Sequence, residues 1–166
     1  MSVQLRPETP AGQTPDDEPF LRRLITETIA LELGAGGWPE PMRSQLLNLQ
    51  YQNRRMGPQA GFPAGESHII LLDREPAGWL FLANLDHEIH IVEIMVLPEC
   101  RSRGAGADAI RHVFALASAA GKPVRLTVNA LNAGAIRLYE RLGFRRIGGN
   151  EVQHEMEARP QAGAAF

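Results

Sequence analysis

The chain has 166 residues, 44% hydrophobic and 22% charged, with a formal net charge of −2, the profile of one globular domain that buries a core without disulfide or metal staples. The charge excludes a strongly basic nucleic-acid surface and gives no pull toward membranes, and the one cysteine, Cys100, excludes an internal disulfide or a cysteine-based metal site. No apolar N-terminal segment precedes a cleavage-like site, and no run is long and apolar enough to cross a bilayer, so a cytoplasmic protein is expected.

In chain order, VQLRP (3–7) predicts a short strand, and a Pro- and acid-rich connector follows over 8–19. Asp16 or Asp17 is placed to cap the next helix. FLRRLITETIALEL (20–33) sets Phe20, Leu21, Leu24, Ile25, Ile29 and Leu33 on one stripe, and GAGGWPEP (34–41) breaks it. MRSQLLNLQYQNRRM (42–56) predicts a second helix with Leu46, Leu49 and Met56 as core candidates, and GPQAGFPAGES (57–67) a Gly/Pro loop. HIILLD (68–73) and AGWLFLANL (77–85) predict a hairpin, and IHIVEIMVL (89–97) a third strand of that group, stopped by Pro98. Ile110, Val113, Phe114 and Ala117 have helical spacing, and Gly121 is a helix stop. VRLTV (124–128) alternates as a strand does; NAGAIRLYERLG (132–143) predicts a helix with an Asn cap and a Gly stop. FRRIGGNEVQHEMEA (144–158) predicts a closing strand or hairpin, and residues 159–166 a loose tail on a single domain of residues 1–158. The order β-α-α-β-β-β-α-β-α-β implies a mixed α/β sheet with a right-handed strand–helix–strand crossover.

That crossover contains RSRGAG (101–106). Gly104 to Ala109 spells G-x-G-x-x-A, but a dinucleotide fingerprint starts directly after the first strand and needs an acid at the end of the next. Here six residues, Pro98 to Arg103, intervene, and the next strand ends Thr127-Val128-Asn129. No Gly-Lys-Ser/Thr follows, which excludes a Walker loop. What remains is a helix start whose amides and dipole suit an anion, with Arg101 and Arg103 beside it, or else a Gly-flavoured cap with two solvated arginines.

R-S-R-G-A-G resembles the Q/R-x-x-G-x-G/A signature of the GNAT superfamily of N-acetyltransferases. LTVNALNAGAIRLYERLGF (126–144) resembles that family's second signature, with Asn132, Ala135, Leu138, Tyr139, Gly143 and Phe144 in register. IVEIMVLPECR (91–101) is similar to the family's fourth strand running into its pyrophosphate loop. The resemblance is strong over 68–158 and weaker over 1–67.

It implies a GNAT-like acyl-CoA N-acyltransferase fold, its mixed sheet splayed between strands four and five, with acetyl-CoA as acyl donor and no metal. Ile94, Met95 and Val96 would pair with the pantetheine arm, and the Ile94 N–H would stabilise the tetrahedral oxyanion. Arg101, Arg103, Gly104, Ala105, Gly106 and Ala107 would hold the pyrophosphate, with Asn132 and Ala135 on the pantetheine side. Tyr139 would also line the acetyl-CoA site and protonate the departing thiolate. For the base, His90 and Glu93 both qualify. Strict alternation puts His90 on Ile94's face and Glu93 on the other unless a bulge reorients it.

The acceptor site of such enzymes is built mainly from the first two helices and nearby loops, which here nominates Gln50, Tyr51 and Arg54, the last suited to an acceptor carboxylate or phosphate. The implied activity is N-acetyl transfer to a primary amine of a small molecule or protein by direct attack; the alternative is a non-catalytic acyl-CoA-binding regulatory module. Acetyl-CoA and an amine are the expected partners, neither nucleic acid nor membrane is, and a homodimer is compatible.

Overall fold

The computed structural model describes residues 1–160. Seven strands form one mixed sheet in the order β1-β2-β3-β4-β5-β7-β6. In chain order they are β1 Val3–Pro7, β2 Glu66–Leu72, β3 Glu75–Asn84, β4 Ile89–Val96, β5 Val124–Asn129, β6 Arg145–Gly149 and β7 Gln153–Ala158. The helices are α1 Glu18–Leu33, α2 Met42–Gly61, α3 Ala105–Ala120 and α4 Ala133–Arg141. The closing segment is thus a hairpin, and its second strand is the one that docks on β5. The tail beyond Pro160 lies outside the described residues, while Arg159 is tied to Glu157 by a 2.7 Å ion pair.

Two apolar clusters sandwich the sheet. On one face Ile110, Val113, Phe114 and Ala117 of α3 and Tyr139 of α4 pack on Ile89, Ile91, Val124, Leu126, Val128 and Met156. On the other, Leu21, Leu24, Ile25 and Ile29 of α1 and Leu47 and Tyr51 of α2 pack on Ile69, Trp79, Phe81 and Met95. The stripe expected of α1 is its buried face from Leu21 to Ile29, whereas Leu33 at its end is exposed. The stripe expected of α2 is not its buried face: Leu49 and Met56 are exposed, and Leu47 and Tyr51 make the contact. Asp17 stands at the N-cap of α1, yet its carboxylate does not cap. It takes two hydrogen bonds from Arg6, at 2.7 and 3.0 Å, and one from the Thr9 amide at 2.8 Å, tying β1 to α1. Burial alone would raise the pKa of Asp17; these donors outweigh it and lower it.

The predicted loop at 57–67 is helical as far as Gly61, with Pro58 inside α2. Pro58 is buried and its carbonyl accepts from Phe62, so packing carries the helix past a residue pair that normally ends one.

Candidate functional site

The site grows from the way β4 and β5 meet. They are parallel and pair only as Ile89–Val124, His90–Arg125 and Ile91–Leu126. Beyond Ile91 and Leu126 no ladder joins them, although β4 continues to Val96 and β5 to Asn129. A gap opens there, bordered on one side by the backbone of Val92–Val96.

A bulge sits at the mouth of the gap. Against β3, Glu93 faces Phe81 but Ile91 faces Leu82, so Val92 is an extra residue. It shifts the alternation by one. Ile89, Ile91, Ile94 and Val96 all pack toward α3, whereas Val92, Met95 and Leu97 pack toward α1 and α2. His90 therefore lies on the face opposite Ile94, which corrects the strict-alternation expectation. Glu93 turns toward α2, where its carboxylate meets Arg54 Nε at 3.0 Å and Nη2 at 3.4 Å.

The two base candidates now stand at different levels. His90 belongs to the paired end: it is level with Arg125, stacks on Phe62 at 5.8 Å between ring centroids, and holds its Nδ1 3.2 Å from Glu88. A cavity of about 130 Å³ opens beside it, also lined by Glu88, Arg125 and Glu155. Arg125 is itself committed to Glu157 at 2.7 Å and to Glu88 at 3.6 Å. Glu93 belongs to the open end. Its side chain is 17% exposed, and burial raises its pKa more than Arg54 and the Ile94 amide lower it.

Tyr139, on α4, packs against the α3 face of the sheet. It is buried against Phe144, 5.6 Å between ring centroids, and its hydroxyl has no hydrogen-bond partner among the described residues. Burial, and secondarily the charge of Glu93, push its pKa up to about 12. The charge of Glu93 thus reaches the Tyr139 phenol.

At the far end of the gap the chain leaves β4 through a 3₁₀ turn at Pro98–Cys100 and enters α3. Gly104, at φ 80°, is the N-cap of α3, and no side chain caps the helix. Ala105, Gly106 and Ala107 form its first turn, so their amides face outward with the positive end of the helix dipole. A Cβ on Gly106 would lie 3.7 Å from Val96, which puts this turn directly over the end of β4. Arg101 donates from Nε to the Val96 carbonyl at 3.1 Å, and the half-exposed Arg103 reaches toward Asp73 at 3.9 Å. Asn132 caps α4 by accepting from the Ala135 amide at 3.2 Å.

Of the acceptor candidates, Tyr51 is only 2% exposed and donates its hydroxyl to Glu18. It belongs to the core between α1, α2 and the sheet. Gln50 is half-buried. Arg54 is held between two carboxylates, since its Nη1 donates to Glu32 at 3.0 Å. Glu32, Glu88, Phe62 and Arg125 were not singled out in the sequence. Glu32, Phe62 and Arg125 owe their places to neighbours far along the chain, and Glu88 joins both its near neighbour His90 and the distant Arg125.

The model of the acetyltransferase (GNAT) family matches residues 28–144. The chain belongs to this family. The mixed sheet, with its parallel β4–β5 pair splayed open, is the GNAT fold. Among solved structures, the GNAT chain is similar to the PaiA N-acetyltransferase of Thermoplasma acidophilum in complex with coenzyme A, at 16% identity and a TM-score of 0.70 over 96% of this chain and 99% of that one. It is similar to the ribosomal-protein-S18-alanine N-acetyltransferase of Escherichia coli, at 17% identity and a TM-score of 0.65 over 99% and 100% of the two chains. A third is a GNAT family acetyltransferase from Elizabethkingia anophelis with acetyl-CoA bound, at 16% identity and a TM-score of 0.58 over 95% and 97%. At these identities the likeness is one of fold. No curated protein matches the chain significantly. Among the described residues no helix is long and apolar enough to cross a membrane.

Proposed function

We propose that this chain transfers the acetyl group of acetyl-CoA to a primary amine by direct attack within a ternary complex. The observation that carries the reading is the β4–β5 ladder that stops at Ile91, with Glu93 on the unpaired stretch of β4 and its charge acting on Tyr139. In this reading the pantetheine arm lies along Ile94–Val96 as an added strand. The pyrophosphate takes the amides of Ala105–Ala107, which carry no side-chain cap.

Glu93 accepts the proton of the attacking amine. The new C–N bond places charge on the thioester oxygen, where the Ile94 amide meets it. As the tetrahedral intermediate collapses the C–S bond breaks, and Tyr139 gives its proton to the sulfur. A phenol raised to about 12 holds that proton at neutral pH. Two effects help it leave: the burial that raises Tyr139 also raises the proton affinity of a thiolate formed beside it, and a protonated Glu93 no longer opposes the tyrosinate charge. His90, tied to Glu88 at the closed end of the junction, is not needed in this scheme.

The test is calorimetric titration with acetyl-CoA, followed by thiol release across a panel of primary amines, for the wild type and Tyr139→Phe. Micromolar binding is expected, with turnover about 100-fold lower in the variant and acetyl-CoA affinity little changed. Equal loss of binding and turnover would remove the acid role. Binding without thiol release from any amine would favour the acyl-CoA-binding module, and no binding would overturn both readings.

A further inference from the structure

Glu93, on the stretch of β4 that borders the gap, is one end of a three-residue chain that runs across α2 to α1. Arg54, on α2, grips the carboxylate through Nε and Nη2, at 3.0 and 3.4 Å. Its remaining nitrogen, Nη1, donates to Glu32 in the last turn of α1 at 3.0 Å. The planar guanidinium is shared between two carboxylates. The one facing the gap is 17% exposed, and the one at the outer end is 51% exposed. An arginine fork fixes direction as well as charge, which lysine does not. Each Glu93 oxygen accepts from Arg54 and keeps lone-pair capacity for a further donor.

We propose that Arg54 is a positioning residue for acetyl transfer, aiming the Glu93 carboxylate into the β4–β5 gap, and that Glu32 sets the strength of the clamp by competing for the same guanidinium. This rests on the reading of Glu93 as proton acceptor. It also reassigns Arg54, which the sequence nominated for an acceptor carboxylate: both faces of its fork are already taken.

The groups that bear on Glu93 are Glu32 from α1, Arg54 from α2 and the Ile94 amide of β4 itself, and its charge in turn acts on Tyr139 of α4. Their signs make the inference specific. Burial raises the proton affinity of Glu93, Arg54 lowers it and Glu32 raises it. Removing Arg54 must therefore move the Glu93 midpoint up. Removing Glu32 must move it down, because a like charge is lost and Arg54 is no longer shared. The opposite signs establish the clamp; what separates positioning from a merely structural ion triad is kcat, which falls in Arg54→Lys only if the direction of the fork matters.

The experiment is a ¹³C NMR titration of the full chain carrying ¹³Cδ-labelled glutamate, with Glu93→Gln identifying the resonance. The acidic limb of kcat/KM is followed in parallel. In Arg54→Gln the midpoint and the limb move to higher pH by about one pH unit or more. In Glu32→Gln they move to lower pH by less. Arg54→Lys returns the midpoint most of the way to the wild-type value but leaves kcat reduced, because the fork is lost. An unmoved midpoint in Arg54→Gln, movement in the same direction in both variants, or full kcat in Arg54→Lys overturns the proposal. Should Arg54→Gln fail to fold, Glu32→Gln and Arg54→Lys decide, and an unmoved midpoint in Glu32→Gln is then the overturning result. If Glu93→Gln keeps full turnover, the proton-acceptor reading falls, while the resonance still reports whether the clamp exists.

Discussion

The two ends of the β4–β5 junction are made from the same two strands and behave in opposite ways. At the Ile89–Ile91 end the backbones are bonded, and the polar side chains above them close on one another: His90 on Glu88, Arg125 on Glu88 and Glu157. At the Val92–Val96 end there is no ladder. A bulge turns Glu93 toward α2, its charge acts on a buried tyrosine of α4, and an uncapped helix start lies over the end of β4. Unpaired backbone edges and uncapped helix starts are costly in a folded core unless something satisfies them. A junction that pairs fully at one end and withholds pairing at the other therefore separates titratable residues that hold the fold from those available for chemistry.

The largest effect that would break this comparison lies at the open end. Glu93→Gln is expected to lower kcat about 1000-fold and to leave acetyl-CoA affinity within about twofold; steady-state kinetics beside calorimetry read both. A full-rate variant would show that the buried carboxylate there is structural after all. A smaller effect belongs to the turn that feeds α3. Gly104 sits at φ 80°, where a side chain is strained, so Gly104→Ala is expected to cost about 1 kcal/mol of stability, read as a lower urea midpoint. The smallest effect should come from the paired end. His90→Ala is expected to change kcat by less than about threefold, because its ring is spent on Phe62 and Glu88. A loss as large as that of Glu93→Gln would erase the distinction between the two ends.

Much of the frame was readable along the chain, and the reasons are local. Val124, Leu126 and Val128 alternate with Arg125, Thr127 and Asn129, and they point to opposite faces of β5 as the period requires. Gly121 ends α3 in the left-handed region and Asn132 caps α4, because both act within a few residues of themselves. The gap with Glu93 and Tyr139 beside it was reached only through the family resemblance carried by RSRGAG and IRLYERLGF.

Three features were not readable, and each has a physical cause. IHIVEIMV is apolar on both faces because helices cover both sides of β4, so its alternation carries no mark of a slip at Val92. Gly57-Pro58 looks like the end of a helix, but burial of Pro58 against the fold carries α2 on to Gly61. Glu93 and Arg54 stand in the sequence as candidates for separate roles and Glu32 as an ordinary charge, since their meeting depends on how α1, α2 and β4 pack.

The sequence by itself determined the element order, the stripe of α1, the alternation of β5, and the two signatures that tie the chain to its family, because periodicity, caps and turn residues act over one or two turns of chain. Only the tertiary structure decided on which face of β4 His90 and Glu93 lie, which arginine holds Glu93, and where pairing stops. Those outcomes depend on a one-residue register shift and on charges brought together from distant segments, and neither leaves a trace in local spacing.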